Sequence, residues 1–232
     1  MEALVKGPPM SSTARARLRA AIVAIAPAVL LAAFVYHPYI ANLTDKAAVA
    51  AALASDTTRW WLSHLAVGVG SGLVVLAFLA IRSYLREAGE ERWSILALPF
   101  IVMGSTLFAF LPAMEIAMLG AAEAGADVQA VLIAMDPWFF PTFLAAAIIF
   151  ALGVLGFAMG IIRSGVLGPR LTWLVVGALL VMAVSRLVPV GAVQFYVQGA
   201  AGIVALWPLA YEMWKHPEAA RPAGQPRPMP AA

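Results

Sequence analysis

Seven side chains that carry charge, exchange protons or hydrogen-bond stand within or beside long apolar runs: His37, His64, Glu115, Asp136, Arg186, Gln194 and Gln198. Each is costly there, because even lenient scales put an ionised group at a bilayer centre at about 2.5–3.5 kcal/mol. Three chemistries fit these residue types. Arg186 suits an anionic headgroup or acid, with Glu115, Gln194 and Gln198 orienting it; Arg186 and Glu115 equally suit a structural ion pair. His37 and His64 are the ligand type that holds haem iron from both faces, so haem b is a candidate cofactor. With Glu115 or Asp136 the same imidazoles supply the three protein ligands of a catalytic zinc-type site, with water in the fourth position.

Spacing is less informative than residue type. No His-x-x-x-His or HExxH pair fixes two metal ligands on one helix face, no serine sits in a GxSxG elbow, and neither GxxxxGK[ST] nor GxGxxG occurs. The chain therefore reads as a protein without a catalytic motif, and no residue is assigned a catalytic role. The absence of cysteine removes disulfides, thiolate ligands and thiol redox chemistry. Plainer roles exist for the same residues: His37, in YHPYI, suits the headgroup layer beside two tyrosines, and Arg186 can snorkel outward.

The stretch RWWLSHLAVGVGSG, residues 59–72, carries the most pointed local signal. Trp60 and Trp61 suit a membrane interface, and His64 lies one turn deeper. On a helix His64, Gly68, Ser71 and Gly72 share one stripe, and Gly68-x-x-x-Gly72 is a small-xxx-small pattern expected to pack against another helix.

These residues need elements to hold them, and composition says which. With 63% hydrophobic and 12% charged residues in 232, and a mean hydropathy of +0.90, the chain has too little polar surface for a water-soluble globule. The runs 20–41, 61–81, 95–114, 138–162, 171–185 and 192–211 are almost free of charge, and most approach the roughly 20 residues a helix needs to cross a bilayer. Solid Ala- and Leu-rich runs make a membrane barrel, which alternates polar and apolar residues, the weaker reading. The fold class expected is all-α and polytopic: a single six-helix domain over 18–214, with tails at 1–17 and 215–232, the latter disordered.

A pI near 9.5 raises nucleic acid as a partner, but the distribution of charge answers differently. Lys6, Arg15, Arg17, Arg19, Arg82, Arg86, Arg92, Arg163, Arg170, Lys215, Arg221 and Arg227 fall on one side of six alternating spans, and only Lys46, Arg59 and Arg186 on or near the other. The positive-inside rule then puts both termini in the cytoplasm of a multi-pass plasma-membrane protein, with lipid rather than nucleic acid as partner. RARLR before the first run resembles a secretory signal; the run outlasts the usual 7–15 residues and lacks a small-residue cleavage site, so a retained helix is expected.

Two outer connections, TDKAAVAAALASD and GADVQAVLIAMD, place apolar residues at helical spacing and predict short interfacial helices, the first capped by Thr44 or Asp45. Each is followed by an Asp, a Trp, a span and an Ile-Arg-Ser, which suggests a parallel internal duplication. The segment RSGVLGPRLTWLVVGALL, with the six-span layout and the outer amphipathic segments, resembles a family of small six-helix bacterial inner-membrane proteins known only as a domain of unknown function. That resemblance implies architecture and carries no functional residues.

Counted along the spans, the polar residues gather toward the outer ends while the inner halves are bare. This predicts an outward-facing polar pocket, roofed by the interfacial helices, that binds a small or lipidic ligand, or an accessory subunit of a homo-oligomer or larger membrane complex. The competing readings are a haem or metal protein using His37 and His64, and a small transporter. A transporter calls for a polar path that the bare inner halves do not supply.

Overall fold

The computed structural model describes residues 11–216; Lys6, Arg221, Arg227 and the predicted disorder of the C-terminal tail lie outside the described residues. Among the described residues the chain is all α-helical, with one isolated bridge between Asn42 and Val190. The helices are α1 (Ser12–Tyr36), α2 (Lys46–Ser55), α3 (Thr57–Glu87), α4 (Arg92–Glu123), α5 (Val128–Ser164), α6 (Pro169–Ser185) and α7 (Gln198–Lys215), the last entered through a π-helical turn, Ala192–Val197. Helix α1 begins at Ser12, inside the segment read as a tail.

Five stretches are long and apolar enough to cross a membrane: α1, α3, α4, α5 and the continuous Ala192–Lys215. The 17 residues of α6 reach about 25 Å at 1.5 Å per residue, a little less than the hydrocarbon thickness. The outward faces are apolar throughout, with Val69, Leu96, Met103, Phe110 and Val184 all more than half exposed. Such a surface suits lipid rather than water.

The long helices form a closed ring in chain order, α1 beside α3, then α4, α5, α6 and α7, which returns to α1. The ring has a filled centre. Phe78 of α3 meets Phe157 and Phe150 of α5 edge-on, at centroid distances of 4.8 and 6.2 Å, and Leu179 and Leu206 are fully enclosed beside them. At one end Arg17 lies over the Trp214 ring and Arg19 pairs with Glu87 at 2.7 Å, which gathers both chain ends with the α3–α4 turn. At the other end the residues before α2 join the segment after α6, through Leu43 N–H to Pro189 and Gly191 N–H to Ala41.

Helix starts follow the sequence signals. Asp45, not Thr44, caps α2, accepting from Ala47 and Ala48 N–H; the Thr44 hydroxyl donates to Asn42. Asp56 accepts from Arg59 N–H and so starts α3 as a helix separate from α2. The second predicted interfacial helix is a correction, because Val128–Met135 forms the first turns of the 37-residue α5 and not an element of its own. Asp136, the counterpart of Asp56, spends its carboxylate on Lys46 and caps nothing, so the helix runs on through Pro137 and Pro141. The two proposed repeat units differ at that point.

A second correction concerns the glycine stripe. Within this chain a side chain at Gly68 or Gly72 would meet nothing within 4 Å, and Gly72 is exposed. The buried face of α3 runs through Trp60, His64, Val67, Gly70, Ser71 and Val74, so the glycine that meets a neighbour is Gly70, against Leu30 of α1. Between the long helices, α4 and α5 approach most closely, where a Cβ on Gly104 would fall 2.6 Å from the Phe150 nitrogen. Gly104→Ala should therefore lower stability by about 1–3 kcal/mol through overpacking, seen as a lower thermal midpoint in detergent. Gly72→Ala should leave that midpoint unchanged or slightly higher, since alanine is the better helix former. Equal losses in the two variants would refute this assignment of the packing faces.

Candidate functional site

Trp60 is the structural hinge of the site, and it does not behave as an interfacial residue. It is 1% exposed, whereas its neighbour Trp61 is 43% exposed. The Trp60 indole N–H donates to the backbone carbonyl of Glu115 at 3.1 Å, which joins α3 to α4. One turn on, His64 Nε2 lies 2.8 Å from Glu115 Oε2, and His64 Nδ1 lies 2.6 Å from the Trp60 carbonyl.

These partners fix the protonation pattern. A carbonyl only accepts, so Nδ1 of His64 carries a hydrogen. A neutral imidazole would then present a lone pair at Nε2, which cannot bond to a carboxylate lone pair. The 2.8 Å contact therefore holds one further proton, shared as imidazolium–carboxylate or as imidazole–carboxylic acid. In both forms the pair is neutral overall, which suits its surroundings: His64 is buried and the Glu115 side chain is about one quarter exposed.

His37 joins this pair. It follows the end of α1 and is buried, while Tyr36 and Tyr39 on either side are exposed. Its ring lies 4.9 Å from that of His64 and 5.3 Å from that of Trp60. Its Nδ1 is 2.6 Å from the Pro38 carbonyl, so Nδ1 again carries the hydrogen and Nε2 keeps a lone pair with no partner among the described residues.

Around this polar pole is a cavity of about 160 Å³. His37, His64, Glu115 and Gln194 line one part of it, and Phe34, Phe108, Phe139, Phe140, Phe143 and Phe195 supply most of the remaining wall. Lys46 at the start of α2 and Asp136 on α5 form an ion pair at its rim, which ties the short helix over the opening. Neither Lys46 nor the phenylalanines were singled out by sequence. The signal available was that Phe139, Phe140 and Phe143 bracket one helix face just after Asp136.

The structure separates Arg186 and Gln198 from this group. Arg186 does not pair with Glu115, because its side chain reaches α4 at Phe108, two helical turns along that helix from Glu115, about 10 Å at 1.5 Å per residue. Its guanidinium lies 3.7 Å from the Phe150 centroid and 4.4 Å from that of Phe108. Oriented by its neighbours, the Gln198 carboxamide accepts from Arg186 Nε at 3.2 Å and donates to the Gln194 carbonyl at 2.9 Å. Arg186 is 2% exposed, and no carboxylate among the described residues lies within 4 Å of it. A desolvated cation–π contact returns about 2 kcal/mol, against a burial cost of several kcal/mol for the ion.

The haem and metal readings do not fit this arrangement. Two axial imidazoles must face one iron with a flat macrocycle between them. Here the two rings pack directly on each other, and Nε2 of His64 is turned to Glu115. No set of three His, Asp or Glu side chains among the described residues is grouped to hold a metal ion, and Asp136 is engaged with Lys46.

No known protein family, curated protein or solved structure matches this chain.

The shared proton has a direct test. Glu115→Gln keeps a donor for the His64 Nε2 lone pair and should stay within about 0.5 kcal/mol of the parent, whereas Glu115→Leu leaves Nε2 without its partner and should cost about 1–3 kcal/mol. Thermal unfolding in detergent reads both. A Gln variant as unstable as the Leu variant would mean that a full ionic pair is required.

Proposed function

We propose that this chain is a six-span plasma-membrane protein that binds a ring-sized, mostly apolar molecule in a cavity at its outer end. The observation that carries this reading is the cavity itself: a phenylalanine-walled space with its hydrogen-bonding groups gathered at one pole. A volume near 160 Å³ is close to that of an engineered apolar cavity of about 150 Å³ that takes up benzene. The partnerless Nε2 of His37 is an acceptor, so the ligand best matched carries one O–H or N–H donor on an aromatic or alicyclic ring. It is either a free small molecule or the head of an amphiphile whose tail runs into lipid.

In this reading α6 is the sixth span and both termini are cytoplasmic. Arg17, Arg19, Arg86, Arg92 and Arg163 lie toward the end that holds the chain ends, against Lys46 and Arg59 at the other, which is the asymmetry of the positive-inside rule. Helix α2 and the first turns of α5 then lie at the outer interface and roof the cavity. The site has no nucleophile–base pair and binds rather than converts its ligand. Transport is disfavoured by the packed phenylalanines of the ring centre.

Topology is checked without background, since the chain has no cysteine. In intact cells Thr44→Cys should react with a membrane-impermeant maleimide and Ala88→Cys only after lysis; the reverse pattern would invert the topology. For binding, a panel of small phenols, indoles and cycloalkanols is screened by thermal shift in detergent. At least one donor-bearing ring should raise the midpoint of the parent protein and not of Phe143→Trp, whose larger side chain takes cavity space. A panel that shifts neither protein, or shifts both equally, would refute the proposed site.

A further inference from the structure

We infer that the cavity takes its ligand sideways from the outer leaflet, through a window between α5 and the segment that follows α6, and that the ligand is an uncharged ring bearing a hydrocarbon chain. This rests on the binding role proposed above and names the ligand class and its route.

Among the residues that line the cavity only Thr44, Phe140 and Pro189 are exposed at the surface, so the mouth lies among these three. They come from the loop before α2, from α5 and from the segment after α6. The loop is tied down on both flanks, on one by the Leu43–Pro189 and Gly191–Ala41 backbone bonds and on the other by the Lys46–Asp136 pair. It spans the gap as a lintel, and the opening beneath it faces the flank of the bundle.

Helix length explains the gap. Helix α6 has 17 residues against 37 in α5, so at 1.5 Å per residue it accompanies only about the last 25 Å of its neighbour. Phe140 stands about 140° around α5 from Gly153, which meets Ile101 of α4, and so lies on the flank away from α4. At helical spacing on that flank, Ala147 and Ala158 are buried at heights that α6 reaches, whereas Phe140, beyond its end, is 60% exposed. From Phe140 an exposed line runs on through Leu144 and Ile148, four residues apart, down the membrane face of α5. A chain attached to a ring in the cavity would leave by the mouth and lie along this line. The ring is uncharged, because Lys46, the cation in the cavity lining, is engaged by Asp136 and leaves a phosphate headgroup without a partner.

The test uses the full chain reconstituted in phosphatidylcholine vesicles with a 4-alkylphenol whose chain ends in a diazirine. After irradiation, adducts are mapped by mass spectrometry. They should concentrate on residues 140–148 and 187–191, and plain phenol at ten times its own dissociation constant should lower them about tenfold. An alkyl diazirine without the phenol head should also mark the exposed face of α6 at Trp173 and Leu174, and phenol should not lower that labelling. Head-directed adducts confined to α2 and residues 41–46 would overturn the sideways route, as would adducts that phenol does not lower. If phenol alone still raises the thermal midpoint in either case, the cavity reading stands and only the window falls. With no midpoint shift by phenol and no competition, both fall.

Discussion

The proton held between His64 and Glu115 is the contact on which the polar end of this bundle depends. It joins α3 to α4 side chain to side chain, and one turn away the Trp60 indole joins the same helices side chain to backbone. Two directional bonds, one turn apart, fix both the separation and the rotation of the pair. In an apolar surrounding each of these groups would cost more unpaired than paired, so the arrangement is strongly specified. His37 then has a defined surface to pack on, made of the His64 and Trp60 rings, and the end of α1 is positioned with it. The cavity is what remains between this fixed pole and the phenylalanines of α1, α4 and α5.

The roof is held differently. Lys46 and Asp136 form a partly exposed ion pair, the kind that contributes little to stability but sets where α2 lies. The same contact explains the shape of α5. With its carboxylate drawn to Lys46, Asp136 cannot cap a new helix, and the chain passes two prolines without breaking. Asp56 faces no such competition and does start a helix.

Much of the fold was legible because it rests on one-dimensional signals: apolar run length, charge between runs, and short polar residues at helix starts. Depth was legible for the same reason, since rise per residue is constant, and His37, His64, Glu115 and Gln194 do meet at one end. What the sequence does not contain is the order of helices around the ring. Nor does it give the reach of a side chain: Arg186 lies against Phe108, two turns along α4 from Glu115. Azimuth was misread for similar reasons: Gly68 and Gly72 share a stripe with His64, but the buried face of α3 passes through Gly70 instead. Trp60 and Trp61 stand about 100° apart on a helix, so they need not share a face, and sequence does not say which takes the place toward lipid. The structure gives that place to Trp61.

Two polar centres therefore lie in one apolar ring, with Phe108 bordering both, and they differ in the way that matters electrically. The outer one is a neutral pair whose proton is internal, so it can face an uncharged ligand without a change in net charge. The inner one is a permanent cation, since a guanidinium does not give up its proton under ordinary conditions. A cation enclosed by aromatic faces is stabilised along its ring normals but not in its own plane, where the N–H groups point. Phe78, Phe150 and Phe157 close the ring centre. The cavity and the polar side chains that line it thus lie at the end distant from the Arg17–Trp214 and Arg19–Glu87 contacts, and the proposed guest would enter and leave by that one side.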